Sequence, residues 1–205
     1  MEALVRQEGM AALALRFTIL TAARTGEVIG ARWAEIDWHN AVWTVPPERM
    51  KAGREHRVPL CEAALGVLSK VVKLGSEPEG FVFPGARRGK PLSSMAMAML
   101  LARTGHDDLT VHGFRSTFRQ WCAEHTNAPR ELAETALAHA LRDKVEAAYQ
   151  RGDLMEKRRR LMSDWAAFCA SPAPQGAKGC RSGARPVKAP DKDPDCLVPA
   201  FGGAG

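Results

Sequence analysis

The segment from Met10 to Ala22 consists almost entirely of Ala, Leu and other apolar residues, and no other stretch restricts the fold as strongly. Its composition favours a helix, and a helix that offers so few polar side chains to water has to be buried. The segment is too short to cross a bilayer, as are the other apolar stretches of the chain. We therefore expect a central helix around which a domain packs.

Residues typical of β-strands are concentrated in one region. Ala41–Val45 and Arg57–Leu60 are predicted to pair as antiparallel strands, with Gly53 in the turn between them. Phe81–Phe83 is a short extended piece, and the rest of the folded part has helical spacing. Besides the first helix, the predicted helices are Glu27–Trp33, Ala63–Leu74, His112–His125, Asp143–Ala148 and one that Asp153 caps. The fold class is therefore mostly α with a small antiparallel β-hairpin sheet (α+β).

The apolar periodicity ends near Ala170. We expect residues 1–170 to form one domain and residues 171–205, which are rich in Pro and Gly, to be disordered. The start of the chain lacks the pattern of a signal peptide. Five scattered cysteines without a CxxC pair indicate neither a zinc knuckle nor a disulfide framework, so a reduced, cytoplasmic protein is expected.

Cations and proton carriers recur at the predicted helix ends and turns. They lie in Arg24-Thr25-Gly26-Glu27, at Lys51 of the hairpin, in His112-Gly113-Phe114-Arg115, in Leu137-Ala138-His139 and at Tyr149, the only tyrosine. Each motif alone is common on protein surfaces. In this order and spacing, from about Met10 to Phe168, the five together resemble the tyrosine recombinase, or phage integrase, family, and the detail is nearest to integrases of prophages and genomic islands.

The resemblance implies the catalytic-domain fold of that family and its reaction. The hydroxyl of Tyr149 would attack a phosphodiester of double-stranded DNA, form a 3′-phosphotyrosyl bond and release a 5′-hydroxyl. Lys51 would protonate the leaving oxygen as a general acid. The net charge of +6 suits such a polyanionic partner but does not identify it.

The remaining motif residues would stabilise the negative charge that develops on the phosphate. Arg24 and Arg115 would bind its non-bridging oxygens through planar guanidinium groups. His112 would relay a proton or bind the phosphate, and His139 would donate to a non-bridging oxygen. Glu27, one helical turn after Arg24, would hold the Arg24 guanidinium in place.

This chemistry requires neither a metal nor a nucleotide cofactor. The sequence has no GxxxxGK[ST] loop and no acidic cluster with recognisable metal-ligand spacing. The expected partners are double-stranded DNA and other copies of the chain during synapsis. No membrane and no small-molecule substrate are expected.

Other interpretations of individual residues remain open. Lys51 shares its hairpin with Arg49, Arg54 and Arg57, so the whole hairpin could simply contact the DNA backbone. His139 could be a packing residue at a helix end. The run of four cations from Lys157 to Arg160 is interpreted as a solvated or DNA-facing stripe. No chemical role is assigned to His39, His56, His106 and His125.

Two other functions fit parts of the pattern. A type IB topoisomerase uses the same Arg, Lys, His and Tyr chemistry but relaxes supercoils as a monomer, without synapsis. A non-catalytic DNA-binding remnant of a mobile element would keep the fold without the reaction. So few residues precede Arg24 that we expect the family's N-terminal core-binding domain to be absent, which favours a truncated integrase.

Overall fold

A computed structural model describes residues 1–75, 77, 79–139 and 151–172, without the side chains of 151–153. The helices are α1 (Glu2–Val5), α2 (Met10–Thr21), α3 (Thr25–Ile29), α4 (Glu62–Lys73), α5 (Ala96–Arg103), α6 (Gly113–His125), α7 (Arg130–Ala136) and α8 (Arg151–Ala170), and the strands are β1 (Ile36–Asp37), β2 (Val42–Val45) and β3 (His56–Pro59). Two single 3-10 turns cover Trp33–Glu35 and Pro47–Arg49. Mostly helical structure around a small antiparallel sheet confirms the predicted fold class.

Helix α2 is the central element, as its apolar composition predicts. Buried residues occur on every side of it, and Leu15 and Phe17 are completely inaccessible to solvent. Helices α3, α4, α5 and α8 all pack against it. The apolar segment that predicted a central helix therefore forms the centre of the core.

The sheet has the order β1-β2-β3, and both pairs are antiparallel. The predicted hairpin is confirmed, with Trp43 opposite Val58 and Val45 opposite His56. Gly53 has a φ of +60° in the connection, a conformation that favours glycine. Strand β1 was not predicted, because two residues are too few to show an alternating pattern.

The second helix is shorter than predicted. Its expected range was Glu27–Trp33, but α3 ends at Ile29, Gly30 is its C-cap, and the chain is extended at Arg32. The backbone N–H of Val82 donates to the carbonyl of Ala31 at 2.8 Å, so the extended segment after α3 pairs with the predicted extended piece Phe81–Phe83. A tertiary backbone contact therefore ends the helix earlier than its sequence pattern indicates.

Helix α8 packs against α2 and contributes to the core. Trp165 is buried, and its indole N–H donates to the carbonyl of Ile19 at 2.7 Å. Its ring also contacts the rings of Phe118, Trp121 and Phe168. This cluster confirms the predicted apolar faces of α6 and α8, although Phe168 keeps 44% of its surface exposed.

The carboxyl-terminal region departs from one sequence expectation. Asp153 lies inside α8 rather than at its N-cap, because Arg151 and Gly152 are already helical, so the predicted cap position is wrong. The predicted helix Asp143–Ala148 lies outside the described residues, as does the stretch expected to be disordered, except for Ser171 and Pro172.

Within the described ranges, every helix is too short or too polar to span a membrane.

Candidate active site

Arg24 stands at the N-cap of α3, where the chain leaves the central helix. Its backbone N–H donates to one carboxylate oxygen of Glu27 at 2.8 Å, and its guanidinium donates to the other at 2.7 Å. The Glu27 side chain is 5% exposed and that of Arg24 is 28% exposed. The expected pairing is therefore present, and it holds the Arg24 side chain in one orientation while part of it remains accessible.

Arg115 lies on α6 and is buried. Its guanidinium donates to the carbonyl of Ala22 and, at 2.7 Å, to the carbonyl of Leu137. These are the C-cap residues of α2 and α7, whose last carbonyls lack partners within their own helices. One buried cation therefore joins the ends of two helices, just before Arg24 on one and just before His139 on the other.

The electrostatics of Arg115 follow from this position. Burial, and after it the charge of Arg24, lowers the pKa of Arg115 to about 10, while Glu27 acts in the opposite direction. Arg115 therefore stays protonated at neutral pH. The charges of Arg24 and Arg115 repel each other, and the buried carboxylate of Glu27 neutralises only part of this positive charge, so the arrangement favours an anion.

His139 follows α7 and is exposed. Its Nδ1 lies 2.5 Å from the carboxylate of Glu134, and its backbone N–H donates to the Glu134 carbonyl at 2.9 Å. Burial tends to raise the pKa of Glu134, but the hydrogen bond from His139 and the charge of Arg119 outweigh burial and lower it. With Nδ1 bound to an ionised carboxylate, Nε2 is the ring nitrogen left for a substrate.

His112 and Lys51 are the two least constrained candidates. His112 is the exposed N-cap of α6, one turn before Arg115 on the same helix. Lys51 is exposed in the connection between β2 and β3. Within the described part of the chain, neither side chain has a hydrogen bond or an ion pair. The structure thus links Arg24, Arg115 and His139 through Glu27, Ala22 and Leu137, and it leaves Lys51 outside that linkage.

Tyr149 lies outside the described residues, so its position relative to the cations stays a prediction. Helix α8 begins at Arg151, two residues after it in the sequence. No group of three or more His, Cys, Asp or Glu side chains that could hold a metal occurs in the described ranges.

The basic run from Lys157 to Arg160 is not a uniform surface stripe. Arg158 is buried and donates to the carbonyl of Arg57 at 2.8 Å, and burial, followed by the charge of Arg57, lowers its pKa to about 10. Arg159 donates to the carbonyls of Asn40 and Ala41 at 3.1 and 3.3 Å. The stripe interpretation is wrong for Arg158, which is buried against β3, whereas Arg159 is half-buried and attaches α8 to the connection between β1 and β2.

His56, to which the sequence assigns no role, lies beside the candidate site. Burial lowers its pKa to about 4, and the charge of Arg158 adds to this shift, while Glu27 and a hydrogen bond to the backbone of Ala136 oppose it. The imidazole of His56, the first residue of β3, is therefore neutral at physiological pH and lies within electrostatic range of Arg115. Only its position in the predicted hairpin could have drawn attention to it.

The chain matches the Phage integrase family over residues 2–153. It is 37% identical over 150 residues to the prophage integrase IntA of Escherichia coli (strain K12), a match that covers 72% of this chain and 36% of that protein. It is also 37% identical to the prophage integrase IntZ of the same organism, covering 75% of this chain and 38% of that one. The chain therefore spans a little over a third of the length of these relatives.

Solved structures agree on the fold. The catalytic core of lambda integrase matches with a TM-score of 0.50 at 22% identity, over 70% of this chain and 87% of that one. A lambda integrase fragment (75-356), solved as a dimer bound to a COC′ core site, matches with a TM-score of 0.51 at 21% identity, over 68% of this chain and 54% of that one. The chain belongs to the phage integrase family and has the catalytic-core fold, which confirms the resemblance drawn from its motifs.

Proposed function

We propose that this chain performs the chemical step of site-specific DNA recombination, the cleavage and rejoining of strands through a 3′-phosphotyrosyl intermediate. One observation carries the proposal. Arg24 and Arg115 come from distant parts of the sequence, yet Arg115 donates to the carbonyl of Ala22, two residues before Arg24, and Arg24 is paired with the buried carboxylate of Glu27. A pair of guanidinium groups held in this way suits the non-bridging oxygens of a phosphodiester.

In the proposed reaction, the Tyr149 hydroxyl oxygen attacks phosphorus and the bond from phosphorus to the 5′ oxygen breaks. Arg24 and Arg115 stabilise the negative charge that develops on the non-bridging oxygens. Lys51 gives a proton to the departing 5′ oxygen, which leaves as a hydroxyl. The energy of the broken phosphodiester is kept in the phosphotyrosyl bond, so that a 5′-hydroxyl can later reverse the step without a nucleotide cofactor.

The two histidines have supporting roles. Nε2 of His139 donates to a non-bridging oxygen, and the carboxylate of Glu134 stabilises the charged ring during that donation. His112 lies on the same helix face as Arg115, where it binds the phosphate or relays a proton. The interpretation of His139 as a mere packing residue is less favoured, because its side chain is 42% exposed.

The proposed partners are double-stranded DNA and further copies of the chain on that DNA. Solved structures of lambda integrase include a dimer bound to a core site and a tetramer bound to a Holliday junction, both with TM-scores of 0.51 to this chain. Strand exchange between two sites would support this assembly. Relaxation of supercoiled DNA without strand exchange would instead favour a topoisomerase-like activity.

A nicked suicide substrate tests the reaction. The DNA site is taken from the repeats that flank the host element, and the purified chain is incubated with it. We expect a covalent protein–DNA adduct that resists denaturant, and its peptide should contain Tyr149, the only tyrosine. Tyr149→Phe should lose the adduct and keep its DNA affinity, because only the nucleophilic oxygen is removed. An adduct that persists in this variant, or binding without any wild-type adduct, would contradict the proposal.

A further inference from the structure

Arg49 stands two residues before Lys51, but its side chain points into the protein. Its guanidinium donates to the carbonyl of Glu27 at 2.6 Å and to the carbonyl of Gly30. It also forms an ion pair of 3.0 Å with Glu35, and its side chain is 22% exposed. The neighbouring cations Lys51 and Arg54 are exposed. The basic residues of this hairpin therefore do not form one surface.

The two carbonyls belong to the end of α3. They are among the last carbonyls of that helix, which lack intrahelical partners, so the guanidinium acts as a cap supplied by a distant residue. The approach is close: a Cβ on Gly30 would lie 3.4 Å from the Arg49 guanidinium and 3.2 Å from the Gly26 carbonyl. Burial lowers the pKa of Arg49, whereas the charges of Glu35 and Glu27 raise it.

Glu35 is fixed on its other side. The indole N–H of Trp43 donates to Glu35 at 2.9 Å, and Trp43 is completely buried on β2. A continuous set of hydrogen bonds therefore runs from the sheet through Glu35 and Arg49 to the end of α3. The side chain of Glu27, one of the two residues whose carbonyls Arg49 binds, also holds the guanidinium of Arg24.

We infer that Arg49 is a positioning residue that fixes the root of the Lys51 hairpin to the helix of Arg24 and Glu27. Lys51 lies only two residues after Arg49 in the sequence. Its backbone is therefore held close to α3, while its side chain stays exposed. The role of Arg49 in positioning an acid rests on the proposed function, whereas the fixed hairpin root is a property of the fold alone. A planar group with several donors is required, because one ammonium cannot bind two carbonyls and a carboxylate in this arrangement.

The first test needs no DNA. Backbone amide hydrogen exchange is measured by NMR in the wild-type chain and in Arg49→Lys, which keeps the charge. We expect exchange at the amides of Arg49, Met50 and Gly30 to accelerate by about tenfold or more, because local opening no longer has to break the guanidinium contacts. Amides of α6 should be unchanged. Arg57→Lys is the matched control, since it makes the same substitution at an exposed side chain of the same hairpin.

The second test measures positioning of the acid. Adduct formation is compared on a nicked phosphodiester and on the same DNA with a 5′-phosphorothiolate, whose sulfur leaves without protonation. Arg49→Lys should react about tenfold or more slowly on the phosphodiester and within about twofold of wild type on the phosphorothiolate. Arg57→Lys should not change the ratio of the two rates. A variant that is merely less stable would be slow on both substrates.

The outcomes separate the two hypotheses. Unchanged exchange at the hairpin root in Arg49→Lys overturns the inference, whatever the chain does to DNA. Faster exchange together with equal defects on both substrates also overturns it, because the opened hairpin would then not act through the acid. Faster exchange with no adduct from the wild-type chain contradicts the proposed function and leaves the fixed hairpin root supported as a feature of the fold.

Discussion

Arg115 and Lys51 are proposed to act on the same phosphodiester, yet the fold constrains them in opposite ways. Arg115 is 5% exposed and donates to the carbonyls that end two helices. Lys51 is exposed and, among the described residues, has no hydrogen-bond or ion-pair partner. The folded chain therefore determines the position of the Arg115 guanidinium, whereas the Lys51 side chain is restricted only at the root of its hairpin.

The difference matches the tasks that the two cations would have. Stabilising charge on a phosphate requires donors that are already oriented, because reorienting them during the reaction would cost free energy. A general acid has to approach one leaving oxygen and transfer a proton, which a side chain on a short tether does after DNA has bound. We therefore expect substitutions of Arg115 to affect stability and cleavage together, and substitutions of Lys51 to affect cleavage alone.

The largest effect is expected for Arg115→Lys. The ammonium keeps the charge but does not reach both carbonyls in the geometry of the guanidinium, so at least one buried carbonyl loses its partner. We expect the free energy of unfolding to fall by about 3 kcal/mol. Cleavage should slow by about two to three orders of magnitude through the lost transition-state donor.

Urea denaturation and adduct formation on a suicide substrate check these two effects. Arg103→Lys is the control, because it makes the same substitution at an exposed position in the last turn of α5. It should change the free energy of unfolding by less than about 0.5 kcal/mol. An Arg115→Lys variant as stable as the control would show that the folded chain does not depend on the guanidinium contacts of Arg115.

The next effect concerns the pH dependence of stability. Burial lowers the pKa of His56 to about 4, and Arg158 and Arg115 add to the shift. Below an unfolded pKa of about 6.5, the unfolded chain takes up a proton that the folded chain does not, so stability is complete above that pH and is lost as the pH falls. The loss from this one group reaches on the order of 3 kcal/mol near pH 4.

His56→Gln should therefore flatten the decline in the free energy of unfolding between pH 6.5 and 4. The measurement is urea denaturation at a series of pH values in that window, on the wild-type chain and the variant. His106→Gln, at an exposed position, should keep the wild-type slope. If His56→Gln also keeps that slope, the imidazole is not held neutral between the surrounding cations.

The sequence predicted the pairing of Arg24 with Glu27 and the shared helix face of His112 and Arg115, but it did not predict the pairing of His139 with Glu134. Arg24 and Glu27 are three residues apart, and His112 and Arg115 share one turn of a helix, so local spacing was enough to relate them. The hairpin strands were predicted because two runs of β-type residues flank a segment that contains a turn glycine. These features depend on short-range geometry, which a pattern of residue types records well.

Many of the arginine contacts that the sequence did not predict have backbone carbonyls as acceptors. Arg115 binds Ala22 and Leu137, Arg49 binds Glu27 and Gly30, and Arg158 binds Arg57, all through main-chain oxygen atoms. Every residue carries a carbonyl, so no residue type at the accepting position indicates such a contact. Only the tertiary arrangement of the chain decides which arginine of a basic run is buried.

The smallest effect on stability is expected for Lys51→Ala, and it tests the other half of the comparison. The side chain is exposed and has no bonded partner in the described part of the chain, so the free energy of unfolding should change by less than about 0.5 kcal/mol. Cleavage of a phosphodiester should nevertheless fall by about two orders of magnitude or more, because the 5′ oxygen leaves poorly without a proton. A 5′-phosphorothiolate should restore the rate, whereas Arg115→Lys should remain slow on both substrates, since its defect lies in stabilising the phosphate charge. A Lys51→Ala variant that stays slow on the phosphorothiolate would assign Lys51 to phosphate binding. Arg115 and Lys51 would then not differ in the roles proposed for them.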